Sequence, residues 1–155
     1  MLDYLRHEWP GVLEPPSTAR GSGWYDTGDI VFIDAAGMMQ IRGRAKRFAK
    51  VGGEMVSLTT AEQLASRLWP EQAHAVVSLP DAAKGEQLIL LTECATATRA
   101  ALLEQARADG IGELTVPRRI VVVRAIPLLG TGKTDYTAAR QIALDHQENI
   151  GANAT

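Results

Sequence analysis

Lys133 stands in the run Thr131-Gly132-Lys133-Thr134, which places an ammonium on a glycine-flexible turn. Such a group can swing over a carboxylate or a phosphate and offset negative charge as it develops. The Gly-Lys-Thr ending superficially resembles a phosphate-binding loop, but the spacing of Gly130 and Gly132 does not meet the Walker pattern. Asp29 follows Thr27-Gly28 and precedes an apolar strand pattern. A carboxylate at a strand edge can accept hydrogen bonds from both hydroxyls of a ribose. Arg42, Arg44, Lys46, Arg47 and Lys50 fall within a short stretch without an acid. Like charges gathered this closely repel unless they are solvated or matched by an anion. If that stretch is extended, Arg44, Lys46 and Lys50 share a side. A lysine, a carboxylate and an arginine cluster are the groups needed to handle a nucleotide and its phosphates. Taken singly, each has a plainer reading, as a solvated lysine, a turn aspartate and a basic surface hairpin.

Composition narrows the class. A chain of 155 residues with 46% hydrophobic and 22% charged residues fits one ordinary globular domain with a modest core. A formal net charge of -2, from 16 basic and 18 acidic residues, argues against a nucleic-acid partner. Cys94 is the single cysteine and lies at the end of an apolar run, so it is expected to be a buried, inert thiol. His7, His74 and His146 are far apart without acidic or cysteine neighbours, and no metal site is expected. His74 reads as a strand-start residue. No stretch is apolar for long enough to span a bilayer, and the start lacks a signal-peptide pattern, so the chain is expected to be soluble and cytoplasmic.

The elements that must carry these residues can be read in outline. Pro10-Gly11 and Pro15-Pro16 open a loop running to Gly23. Residues 30–33 and 38–41 form a hairpin around a turn at 34–37. A hairpin and a loop cannot bury their own apolar faces, so Tyr4, Leu5, Trp9, Val12, Leu13 and Trp24 need a partner. Residues 46–51 and 54–56 pair across Gly52-Gly53. Ser57, Thr59 or Thr60 caps a helix to residue 68 with Ala61, Leu64, Ala65 and Leu68 on one face. Strands follow at 73–79 and 87–92 across a charged turn at 80–86. A helix at 98–108 ends at Asp109-Gly110, a strand covers 120–123 and a last helix covers 137–144. The pattern is that of a small α+β domain, with a polar, frayed tail after His146.

Three segments, in order, resemble the signatures of the adenylate-forming (AMP-binding) superfamily of acyl-CoA synthetases, peptide-synthetase adenylation domains and luciferases. Trp24-Tyr25-Asp26-Thr27-Gly28-Asp29 is similar to its Tyr-x-Thr-Gly-Asp motif. Gly43 through Ser57, with Glu62 beyond, is similar to its hinge motif. Pro127-Leu128-Leu129-Gly130-Thr131-Gly132-Lys133 is similar to its closing Pro-x-x-x-x-Gly-Lys motif. Within the superfamily, Arg44 through Lys50, Gly53 through Leu58 and Pro10 through Glu14 look most like the branch that acylates acyl carrier protein and reacylates 2-acylglycerophosphoethanolamine. Two departures are minor: Leu58 stands near a usual proline, and Thr134 where isoleucine is common.

The resemblance implies a fold and a division of labour. Residues 1–43 would be the end of a large AMP-binding domain, 44–145 a C-terminal lid with a β-hairpin and a central sheet of about three strands packed with helices, and 146–155 a disordered tail. Asp29 would bind the ribose of ATP, assisted by Arg44, with Lys50 a further nucleotide contact. Lys46 would be the hinge, and Gly52, Gly53 and Glu54 the hairpin that faces the thiol in the second half-reaction. Lys133 would reach the acyl carboxylate and the α-phosphate, and Glu62 would hold hairpin and helix together. ATP and Mg2+ would be bound mainly outside this chain. Fatty acid would be the substrate and acyl carrier protein the partner. The parent protein would sit at the cytoplasmic face of the inner membrane, and this chain alone would be inactive. Two other readings stand beside it: a non-catalytic module that binds an acidic carrier protein, and the lid of a related acyl-CoA synthetase.

Overall fold

The structure is a computed structural model that describes the backbone of residues 4–5 and 13–152 and the side chains of 15–41 and 43–148. Two compact units divide between Lys46 and Arg47, a few residues beyond the expected boundary at 43/44. The expected need of Tyr4, Leu5, Trp9, Val12 and Leu13 for a partner lies outside the described side chains.

The first unit is built from short antiparallel pairs. β1 (Tyr4–Leu5) pairs with β2 (Leu13–Glu14), and β3 (Ser17–Thr18) with β4 (Gly21–Ser22). The expected open loop to Gly23 therefore contains a small hairpin, closed by a 2.6 Å hydrogen bond from the Gly23 amide to the Pro16 carbonyl. β5 (Asp29–Ile33) and β6 (Met39–Arg44) form the larger hairpin. Its turn is set by Asp34, whose Oδ1 accepts from the amides of Ala36 and Met38, both at 2.9 Å. Phe32, Ile33, Met39 and Ile41 stay exposed, with Ile41 at 70%. This hairpin buries neither of its apolar faces, as its length leads one to expect.

The second unit is α+β. A 3-10 turn, Ala45–Arg47, leads into β7 (Phe48–Val51), and β8 (Glu54–Ser57) returns antiparallel across Gly52-Gly53, whose φ values are +61° and +90°. The side of that hairpin facing the core is Ala49, Val51 and Val56. α1 (Leu58–Leu68) starts at Ser57, whose Oγ accepts from the Thr60 amide at 3.2 Å. β9 (His74–Asp81) and β10 (Gly85–Thr92) run antiparallel, so the expected turn at 80–86 shrinks to residues 82–84. Asp81 makes this possible by accepting from the amides of Ala83 and Lys84, at 3.0 and 2.9 Å. α2 (Arg99–Ala108) is capped by Thr98, β11 (Arg119–Val122) runs parallel to β10, and α3 (Tyr136–Ala152) closes the unit.

The sheet has five strands because the hairpin joins the central three: β10 pairs along its length with β9, with β11 over residues 89–92, and at Gly85 with Val51 of β7. Alternation along β10 sends Leu88 and Leu90 toward α1 and α2, and Ile89 and Leu91 toward α3. Both faces are covered, which explains an unbroken apolar run. Thr92 is buried within it and satisfied by His74, whose Nδ1 lies 2.8 Å from the threonine hydroxyl and whose Nε2 lies 2.9 Å from the Trp69 carbonyl oxygen. Cys94 is buried and free, as expected. α3 continues through Ala152, past His146, where a frayed tail was expected to begin. Residues 153–155 lie outside the described ones.

Candidate active site

In the first unit, the β5–β6 register sets Asp29 opposite Arg44, after a shift between Ile30 and Val31. Arg44 Nε lies 2.9 Å from Asp29 Oδ1, and its Nη1 donates to the Thr27 carbonyl at 2.9 Å. The approach is shaped by Gly28 at φ +68°, with its amide on Asp26 Oδ1 at 2.8 Å and the Asp29 amide on Thr27 Oγ1 at 3.2 Å. Asp26 thus fixes the loop and Asp29 keeps a carboxylate at the strand edge. Its side chain is 18% exposed and that of Arg44 is 65% exposed. Lys46 is exposed in the 3-10 turn and is the last residue of this unit.

The basic stretch is not extended, so Arg44, Lys46 and Lys50 do not share one strand face. Arg47 leaves the group altogether. Its Nη2 lies 2.6 Å from Glu62 Oε1, with the two side chains 14% and 16% exposed, and its Nη1 donates to the Val76 carbonyl at 2.9 Å. The guanidinium also sits over the Tyr136 ring, 3.8 Å from its centroid. One charge of the presumed surface patch is therefore a buried tie between elements.

The Gly52-Gly53 turn is braced from beside it. The Gly52 amide donates to the Lys84 carbonyl at 2.9 Å, and the Lys50 amide to Glu86 Oε2 at 2.6 Å. Gly85, at φ +78°, brings the second hairpin so close that a Cβ there would lie 3.3 Å from the Lys50 carbonyl oxygen. Lys50, Glu54 and Met55 point outward and are exposed. Asp81, at the neighbouring turn, is held below the usual carboxylate range chiefly by the Lys84 amide that it accepts.

Lys133 is exposed on a closed loop. The Leu129 amide donates to the Lys133 carbonyl at 2.8 Å, the Gly132 amide to the Leu129 carbonyl at 2.8 Å, and the Asp135 amide to the Pro127 carbonyl at 2.9 Å. Leu128 and Thr134 form an isolated antiparallel bridge. Gly132, at φ +79°, makes the turn. α3 begins immediately after it, capped by Asp135 Oδ1, which accepts from the amides of Thr137 and Ala138 at 3.0 Å. Residues 127–135 therefore hold the lysine on a braced hairpin-like loop and not on a free coil.

Sequence reasoning missed the roles of Arg47, Tyr136, Glu86 and Gly85. Only Gly85 carried a local signal, as a glycine in a charged turn. Glu62 was placed as a structural residue, and it joins three elements: Oε1 accepts from the Val76 amide at 2.8 Å and pairs with Arg47, while Oε2 accepts from the Tyr136 hydroxyl at 3.2 Å. Among the described residues, no group of three His, Cys, Asp or Glu is placed to hold a metal ion, and no helix is long and apolar enough to cross a membrane.

No family profile matches the chain. Individual proteins do. Over 115 residues, 72% of this chain, it is 38% identical to the 3-methylmercaptopropionyl-CoA ligase of Ruegeria pomeroyi, and covers 21% of that protein. Over 140 residues, 88% of this chain, it is 36% identical to the L-proline–[L-prolyl-carrier protein] ligase of Streptomyces coelicolor, covering 26% of it. Among solved structures, the amide bond synthetase McbA of Marinactinospora thermotolerans superposes with a TM-score of 0.56 at 31% identity, over 77% of this chain and 24% of that one. The fold is that of the C-terminal lid domain of adenylate-forming enzymes. The chain belongs to that AMP-binding superfamily of ligases, and spans about a fifth to a quarter of the length of the relatives it matches.

Proposed function

We propose that the chain is the lid region of an ATP-dependent acyl ligase of the acyl-CoA synthetase type, with Lys133 its adenylation lysine. The observation that supports this most directly is an exposed ammonium on a hydrogen-bonded loop, Leu129 to Lys133 and Pro127 to Asp135, in a fold of this class. In the first half-reaction an acyl carboxylate oxygen attacks the α-phosphorus of ATP, and the bond to the pyrophosphate oxygen breaks. Lys133 contacts the acyl carboxylate and the α-phosphate, where negative charge builds up. Asp29 accepts from the ribose hydroxyls: Arg44 pairs with its Oδ1, and among the described residues no ion pair engages Oδ2, the oxygen that takes a hydroxyl. Lys50 is a further cation for the nucleotide. Mg2+ would neutralise charge on the triphosphate; among the described residues no group of three His, Cys, Asp or Glu is placed to hold it.

In the second half-reaction a thiol attacks the acyl-adenylate carbonyl, and AMP leaves. Lys133 withdraws, the lid turning about Lys46, and the hairpin at Gly52, Gly53 and Glu54 replaces it. The name of the Ruegeria ligase supports coenzyme A as the thiol. A carrier-protein thiol, including that of acyl carrier protein with a fatty acid as substrate, is the second reading. It is favoured by the carrier-protein ligase of Streptomyces and by the exposed cations Lys46, Lys50 and Lys84, which suit an acidic partner. Reacylation of 2-acylglycerophosphoethanolamine and a membrane-bound parent protein belong to the same second reading.

The test is carboxylate-dependent ATP–pyrophosphate exchange. The 155-residue chain alone should stay at background. In the ligase that contains it, Lys133→Ala should lower exchange by about 10²–10³-fold, the scale of one lost oxyanion donor. Thioester formation from preformed acyl-adenylate should persist. Exchange unaffected by Lys133→Ala removes the assignment.

A further inference from the structure

We propose that Arg47, Glu62 and Tyr136 form a clamp that sets the orientation of the Lys133 loop, with Arg47 and Tyr136 as positioning residues for that lysine. The inference rests on the reading of Lys133 given above. Tyr136 is the first residue of α3, three positions after Lys133, and Arg47 is the first residue of the second unit, directly after Lys46. The loop that bears the lysine is thus fastened to the point where the unit begins.

Each member holds the next by a distinct interaction. Arg47 spans from Glu62 to the Val76 carbonyl of β9, and its planar guanidinium stacks on the Tyr136 ring at 3.8 Å. Tyr136 donates its hydroxyl to Glu62 Oε2 at 3.2 Å. Glu62 is locked in turn by the Val76 amide at 2.8 Å. Partial burial first, and then the Glu62 charge, push the half-exposed Tyr136 phenol up, while Arg47 acts the other way. Thr134 is the neighbour of Lys133 and forms the bridge with Leu128. The cluster therefore meets the chain at Tyr136, immediately after the lysine loop and two residues beyond Thr134. The partners converge from α1, β9 and the start of α3, so the loop cannot tilt without breaking a largely buried ion pair or a ring stack. A lysine delivered to a transition state gains from this, because misplacement of the group by about 1 Å can cost ~10²-fold in rate.

The experiment uses the isotope-labelled 155-residue chain and compares amide hydrogen exchange of wild type, Tyr136→Phe, Arg47→Lys and Arg47→Met. Tyr136→Phe keeps the ring beneath the guanidinium and removes only the hydroxyl. Amides of Leu129 and Asp135 report the lysine loop, and those of Leu90 and Leu91 report the sheet. Exchange at Leu129 and Asp135 should quicken at least threefold in Tyr136→Phe, and more in Arg47→Met, with Arg47→Lys intermediate and the sheet amides unchanged. Loop amides that keep wild-type rates in every variant, or that quicken only in step with the sheet amides, overturn the clamp. In the intact ligase, Tyr136→Phe should lower kcat of the adenylation step about tenfold at unchanged KM for ATP and spare the thioester step. If the loop amides respond while Lys133→Ala leaves pyrophosphate exchange intact, the clamp stands and the reading of Lys133 as the adenylation lysine falls.

Discussion

Replacing Glu62 probes the second unit at the point where α1, β9 and α3 are joined. Its Oε1 lies 2.6 Å from Arg47 Nη2 and accepts the Val76 amide at 2.8 Å, and its Oε2 accepts the Tyr136 hydroxyl. With the Arg47 and Glu62 side chains 14% and 16% exposed, water reaches the pair poorly. Glu62→Ala strands a guanidinium without its counter-charge and a strand amide without an acceptor. Truncating one partner of a buried pair costs about 3–5 kcal/mol. Arg47 keeps its bond to the Val76 carbonyl and its stack on Tyr136, which favours the lower end, about 3 kcal/mol. Glu62→Gln retains an acceptor for the Val76 amide but loses the charge and puts an amide donor where Oε2 accepts the Tyr136 hydroxyl, so about 1–2 kcal/mol is expected. Urea unfolding of the 155-residue chain, followed by helical circular dichroism, gives both values, with m unchanged if the denatured state is unaffected. A loss below about 1 kcal/mol for Glu62→Ala, the ordinary range of surface substitutions, would refute the view of this pair as a structural tie.

Two further perturbations test the packing around the site. Gly85→Ala forces a side chain onto a φ of +78° and puts its Cβ 3.3 Å from the Lys50 carbonyl oxygen; a loss of about 1–2 kcal/mol is expected, against little change for Gly112→Ala, where nothing lies within 4 Å. Equal unfolding midpoints for the two variants would contradict the close approach of the hairpins. Tyr136 has a folded-state pKa above its unfolded value of about 10, because burial and then Glu62 disfavour the phenolate. Its contribution to stability is therefore complete below about pH 10 and declines as pH rises from there toward the folded value. Urea midpoints measured from neutral to alkaline pH should show a steeper decline in wild type than in Tyr136→Phe, and parallel curves would exclude this burial.

How much was legible beforehand depended on the range of the interaction. The β7–β8 hairpin followed from Gly52-Gly53 between apolar strands, because positive φ at two successive residues is a local demand. The buried face of α1 followed from spacing within one helix, and of the three candidate caps, Ser57, Thr59 and Thr60, the structure uses Ser57. The ion pair of Asp29 with Arg44 was not anticipated: the resemblance implied only that Arg44 assists Asp29 at the ribose, and the register of β5 on β6 contains a shift that no periodicity reveals. The roles of Asp29, Arg44, Lys46, Lys50, Gly52, Gly53, Glu54 and Lys133 in catalysis come from that resemblance and remain proposals. Arg47 was misread because a charge beside other charges looks solvated, and nothing near it in sequence announces Glu62 or Tyr136. The extent of α3 past His146 was not legible because polarity resembles fraying, whereas the helix gains its support from Ala139 and Ala143 packed on the sheet.

The sequence by itself determined the turns, the caps, the alternating strands and the order of the three motifs, all of which depend on backbone preferences within a few residues. Only the tertiary structure decided which charges are solvated and which are paired, and that the start of α3, three residues past Lys133, is tied to Glu62 and Arg47 through Tyr136. The reason is physical: a charge takes its energy from the dielectric and the partners around it, and those are assembled from segments far apart along the chain.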